Sequence, residues 1–129
     1  MERLKDWALG VASKASKINI KERQNGDVMI LDLEGNILTG ESAAAVRGVI
    51  RRLLTEGQSK IFLNMAQVRW VDSEGIGELI AAHVAVTRLG GQIKLLKVRA
   101  NIKTLLTTTG LDTVFAVYDD ELTALNDYL

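Results

Sequence analysis

Three short apolar runs set the strongest limit on what this chain can fold into. KIFLNM (60–65), IKLLKV (93–98) and TVFAVY (113–118) are each strand-length, and the segments between them are spaced as helix. Strands that alternate with helices pair in parallel, because each crossover returns the chain to the same end of the sheet. Residues 41–56, ESAAAVRGVIRRLLTE, keep Val46, Val49, Ile50, Leu53 and Leu54 on one stripe, with Arg47, Arg51 and Arg52 on the wet side and Gly57 as a stop. Residues 76–89 predict a second helix with Ile76, Leu79, Ile80, Val84 and Leu89 as its buried stripe, ended by Gly90-Gly91. Asn101 is placed to cap a third helix through Leu106, with Gly110 beyond it. Asp119 and Asp120 can open a last helix carrying Leu122, Leu125 and Leu129, since acidic residues suit a helix N-terminus.

The segment before these alternations has a different rhythm. In KINIKERQNGDVMILDLEGNI, two strand-like stretches flank Asn25-Gly26, a two-residue hairpin signal. The expected domain is therefore α/β over residues 17–129. Its sheet is mixed, an N-terminal hairpin followed by parallel strands, packed with about four helices. Residues 1–16, MERLKDWALGVASKAS, place Leu4, Trp7, Ala8, Val11 and Ala15 at helical spacing, with Lys5, Asp6 and Lys14 off the stripe. They predict a short helical extension that packs on the domain or on a second copy in a homodimer.

Composition narrows the function classes. Sixteen Lys plus Arg balance sixteen Asp plus Glu, so no broad basic face is available for nucleic acid. There is no cysteine, which removes disulfides, thiolate catalysis and Cys-based metal sites. With a single histidine as well, no metal or other cofactor is expected. No apolar run approaches the roughly 20 residues of a membrane span, and the N-terminus lacks a signal-peptide core. A cytoplasmic protein is expected.

The most unusual segment is VRWVDSEGIGELI (68–80), where a buried strand feeds into a helix and a serine stands between two carboxylates. Ser73 is placed as an N-cap, its hydroxyl accepting from the N–H of Gly75 or Ile76. Gly75 and Gly77 strip the turn of side chains, so another molecule can approach. If Val71 points inward, Trp70 points outward, as a partner anchor or as cover for the sheet. Beyond a plain cap, three chemical readings compete. A serine nucleophile would need G-x-S-x-G and a base, but the run is V-D-S-E-G. His83 lies ten residues along the same helix, about 15 Å away. A dinucleotide site would need a third glycine after Gly75-Ile76-Gly77, where Leu79 and Ile80 stand. A phosphorylated Ser73 would add about −1.5 to −2 charges at a helix N-terminus, which tolerates phosphate. Beside Asp72 and Glu74, that charge would be felt mainly by a docked partner.

The stretch LNMAQVRWVDSEGIGELIAAHVAVTRLGGQIKLLKV resembles the STAS domains of bacterial anti-sigma factor antagonists. The likeness runs from about Lys17 to the C-terminus and rests on the D-S-x-G-[IL]-G turn and the GG-x-[IL]-K-L strand. It implies a binding protein that is not an enzyme. The unphosphorylated form binds an anti-sigma factor serine kinase and so frees a sigma factor; the kinase phosphorylates the STAS serine, and a serine phosphatase restores it. Carried onto this chain, the phosphorylated residue is Ser73. The implied partner-binding set is Trp70, Asp72, Ser73, Glu74, Gly75, Ile76 and Gly77, with Thr39 and Gly40 from a neighbouring loop. Two positions depart from the family. Glu74 stands where Ser or Thr is common, adding a standing negative charge. Leu38 stands where an Asp is common, so the contact made by that Asp is either missing here or replaced by Thr39 or Glu41. The alternative is a constitutive STAS scaffold, assembled through the N-terminal helix, with Ser73 never modified.

Overall fold

The computed structural model describes residues 18–127. The helical extension expected over 1–16 lies outside the described residues. Five strands are joined in the order β1 (Ile18–Asn25), β2 (Val28–Gly35), β3 (Lys60–Gln67), β4 (Gln92–Leu96) and β5 (Ala116–Tyr118). β1 and β2 form the antiparallel hairpin, and each later neighbour is parallel, as the alternation requires. Four helices complete the described domain: α1 (Glu41–Thr55), α2 (Ser73–Arg88), α3 (Ala100–Thr108) and α4 (Glu121–Asn126).

The two faces of the sheet are covered unequally. Leu31, Leu33, Ile61, Leu63, Met65, Ile93 and Leu95 form the main core with Val46, Ile50 and Leu53 of α1, Leu79 and Val86 of α2, and Ile102 and Leu106 of α3. The opposite face has a smaller apolar cluster, Val28, Ile30, Phe62 and Leu96 beneath Ala124, with Leu125 and Tyr118 alongside. Alternate residues of one strand feed the two cores, as a period of two demands. Lys94 is 3 % exposed on that second face. Its ammonium donates to the carbonyls of Ala124 (2.9 Å) and Asp127 (3.2 Å) and lies 4.9 Å from the Tyr118 ring centre. A cation thus closes the C-terminal end of α4, where helix carbonyls lack partners.

Several expected boundaries shift. The hairpin loop is Gly26-Asp27, not Asn25-Gly26: Asn25 still pairs with Val28, and Gly26 takes φ 63° as the first loop residue. A glycine there matches strand twist without steric cost. β4 stops at Leu96 because Lys97 turns to φ 54°. β5 begins only at Ala116, since Leu111–Thr113 form a 3-10 turn that carries Phe115 into the core. Asn101 does not cap α3. Arg99 precedes its first turn, and the Asn101 amide instead donates to the Arg69 carbonyl at 2.7 Å. In α2, Ile80, Val84 and Leu89 are exposed; the buried stripe is Gly75, Ile76, Leu79, Ala82 and Val86. Small Gly75 and Ala82 set the packed face, so ranking by side-chain size misplaced it.

Candidate functional site: the Ser73 turn

The helix cap is Asp72, not Ser73. Asp72 keeps extended backbone angles, and its Oδ1 accepts from the Gly75 N–H at 2.8 Å. A carboxylate here satisfies an orphan amide and complements the helix dipole at once. Ser73 becomes the first helical residue. It is exposed, and its hydroxyl has no hydrogen-bond partner among the described residues.

The turn is pinned from outside by residues 36–40, the link from β2 to α1. The Ile37 N–H donates to the Trp70 carbonyl (3.0 Å), and the Asp72 N–H donates to the Ile37 carbonyl (3.2 Å). Ile37 and Val71 form an isolated parallel bridge, and the Trp70 N–H donates to Asn36 Oδ1 at 3.1 Å. Further along, both the N–H and the hydroxyl of Thr39 donate to Asp72 Oδ2, at 2.7 and 2.8 Å. The Gly40 N–H donates to Glu74 Oε2 at 2.9 Å. Both carboxylates that flank Ser73 are therefore held by one loop. The Thr39 amide above all, and then the Gly75 amide, hold the Asp72 carboxyl below its ordinary range. The loop is itself fixed by buried Ser42, whose hydroxyl accepts from the Leu38 N–H (2.8 Å) and donates to the Leu38 carbonyl (3.0 Å).

These contacts sort the residues singled out from the sequence. Asp72, Ser73, Glu74, Thr39 and Gly40 lie together at one end of the sheet. Trp70 is 61 % exposed and Val71 is buried, but not by strand alternation: β3 ends at Gln67, and Arg69 and Trp70 are both exposed. Thr39 reaches Asp72 from the loop that carries Leu38. Gly75 and Ile76 are buried. A Cβ on Gly75 would lie 2.2 Å from the Ile37 carbonyl oxygen and 2.8 Å from Val71 Cγ1, so this glycine admits the chain's own loop rather than another molecule. Gly77 does face open space. Asn36 and Ile37 belong to the Gly35–Gly40 loop that carries Thr39 and Gly40, the loop expected beside the turn; Ser42 was not expected there, although a small polar residue opening a helix was a signal for it.

The competing chemistries fare poorly here. The Thr39 and Gly40 amides, which could cradle a phosphate, are taken by the chain's own carboxylates. His83 meets Phe115 edge-on, ring centres 5.5 Å apart, and its Nδ1 is buried. No His, Asp or Glu cluster suited to a metal occurs among the described residues.

Residues 19–124 match the family model described as the STAS domain, and the chain belongs to that family. An anti-sigma F factor antagonist from Paenibacillus polymyxa is 24 % identical over 111 residues, spanning 85 % of this chain and 94 % of the relative. A crystal structure from Thermotoga maritima, provisionally assigned as an anti-sigma factor antagonist, superposes with TM-score 0.79 at 25 % identity, covering 84 % of this chain and 92 % of that one. The Bacillus cell fate determinant SpoIIAA, solved in its phosphorylated form, shares the fold with TM-score 0.67 at 16 % identity over 84 % of this chain and 97 % of its own. Among the described residues, no helix is long and apolar enough to cross a membrane.

Proposed function

We propose that this STAS domain is an anti-sigma factor antagonist acting in the cytoplasm. Its unphosphorylated form binds an anti-sigma factor that is a serine kinase. Phosphorylation of Ser73, reversed by a serine phosphatase, ends that binding. The domain works by binding and performs no catalysis of its own.

One observation carries this reading: Ser73 is exposed and makes no bond that the fold needs, while the residues on both sides of it are tied down. A phosphate added there leaves those bonds in place and places about −1.5 to −2 charges on the surface. The helix dipole favours the added charge at this N-terminus, while the Gly75 amide stays with the Asp72 cap. A partner seated on Trp70 and Ser73 meets the full change in charge. Glu74 fits the scheme because its carboxylate is committed to the Gly40 amide.

The test is a pair of affinity captures from native lysate, with wild-type protein and Ser73→Asp as baits, followed by phosphorylation of wild type and Ser73→Ala by the captured kinase. The expected result is a serine kinase held by wild type, lost with Ser73→Asp, and able to modify only a chain carrying Ser73. Recovery of the same partners by both baits would overturn the switch and favour the constitutive scaffold.

A further inference from the structure

We infer that Arg69 and Arg99, with Trp70 beside them, form a docking surface for an acidic segment of a protein partner. β3 lies between β2 and β4, so the link that leaves it, residues 68–72, runs between the segments that follow those two strands. The segment after β2 holds Trp70 and Asp72 through Asn36, Ile37 and Thr39. The segment after β4 holds the other flank. Asn101 Nδ2 donates to the Arg69 carbonyl at 2.7 Å, and Arg99 Nε donates to the Ala66 carbonyl at 3.1 Å. Arg69, Trp70 and Arg99 are all exposed.

The two flanks differ in charge, and that difference names the occupant. Beside residues 39–40 stand the carboxylates of Asp72 and Glu74. On the α3 flank, Arg69 and Arg99 have no ion pair among the described residues, and the first turn of α3 carries no acidic residue. Elsewhere Arg23 pairs with Asp32 and Glu121, Arg47 with Glu78, and Arg52 with Glu22 and Glu56. Nearby, Lys103 faces Asp119 at 3.6 Å. The Arg99 Nε bond fixes that side chain and leaves its two terminal nitrogens for a carboxylate, which a guanidinium binds with two parallel bonds. Because the side chain is already ordered, binding costs less entropy. Exposed Trp and Arg are also the residues on which interface energy concentrates. The matching chemistry is a pair of carboxylates around an apolar or aromatic residue. With sixteen cations balanced by sixteen anions, the chain lacks the broad positive field that a nucleic-acid backbone would need.

The experiment titrates the isotope-labelled full chain with a glutamate-rich peptide carrying one phenylalanine, and with the same peptide in lysine, followed by NMR. The glutamate peptide is expected to shift the amides of residues 68–70 and 99–101 and the Trp70 indole; the lysine peptide is not. Arg69→Glu/Arg99→Glu should weaken binding by at least about tenfold. Arg51→Glu/Arg88→Glu makes the same change in net charge and should weaken it far less. Arg69→Glu alone removes no side-chain bond of the fold, since Asn101 takes only the Arg69 carbonyl, and it keeps the test valid should the double variant fold poorly. Equal weakening by both double variants, or no binding of the glutamate peptide, would overturn the inference. Tighter binding of a thymidine oligonucleotide than of the glutamate peptide would overturn it in favour of nucleic acid. No kinase enters the titration, so its outcome is independent of the Ser73 switch.

Discussion

Helices α2 and α4 begin in the same way, and only one of the two starts forms a site. Each is capped by an aspartate, Asp72 accepting from the Gly75 amide and Asp120 from the Thr123 amide, both at 2.8 Å. Each has a glutamate in its first turn. At α4 that glutamate, Glu121, takes Arg23 at 2.8 Å and Asn25 at 3.1 Å, which straps the helix to the hairpin. At α2 the glutamate and the second oxygen of the cap both hold backbone amides of residues 39–40. The first helical residue is Glu121 in one case and an unoccupied serine hydroxyl in the other. An aspartate cap is therefore a generic way to start a helix. What distinguishes the Ser73 turn is a second loop that fixes the serine's neighbours and leaves the serine alone.

The largest test of this contrast is Gly75→Ala. The new methyl collides with the backbone at Ile37, which cannot swing aside, and the expected cost is about 2–3 kcal/mol in urea denaturation. Gly77→Ala meets nothing within 4 Å and should instead stabilise by up to about 1 kcal/mol. Next is Asp72→Ala, which removes the cap and frees Thr39 together, with an expected loss of about 1–2 kcal/mol. Asp120→Ala removes a cap alone and should cost less in the same assay.

A smaller effect concerns acid. Because the Asp72 carboxyl sits below its ordinary value of 3.8, the folded state binds fewer protons there than the unfolded chain. Its contribution is complete above the ordinary carboxylate range and is lost as pH falls through the lower folded value. Between about pH 5 and pH 2, stability of Asp72→Ala should fall less steeply than that of wild type. Parallel curves would show that the Thr39 and Gly75 bonds to Asp72 together contribute nothing. Smallest is Ser73→Ala, expected to change stability by less than about 0.5 kcal/mol; a larger loss would mean that the hydroxyl supports the fold.

Periodicity made most of the fold legible. The hairpin, the parallel alternation and the starts of α1 and α4 to within a residue were written in the sequence pattern. Three features were not. The buried face of α2 turned on Gly75 and Ala82, residues too small to weigh in a stripe read by hydrophobic bulk. The cap fell to Asp72 because a carboxylate can serve the Gly75 amide and the Thr39 loop together, and residues 33 apart carry no local signal of meeting. The loop itself is held by side-chain bonds of Asn36 and Ser42, which no period records.

Calorimetric titration of the captured serine kinase into wild-type protein and into Ser73→Asp, with thermal melts of both, tests the Ser73 switch most directly. At least about a tenfold loss of affinity, or about 1.4 kcal/mol, is expected with the melting temperature unchanged. Equal affinity, or weaker binding explained by a lower melting temperature, would contradict it.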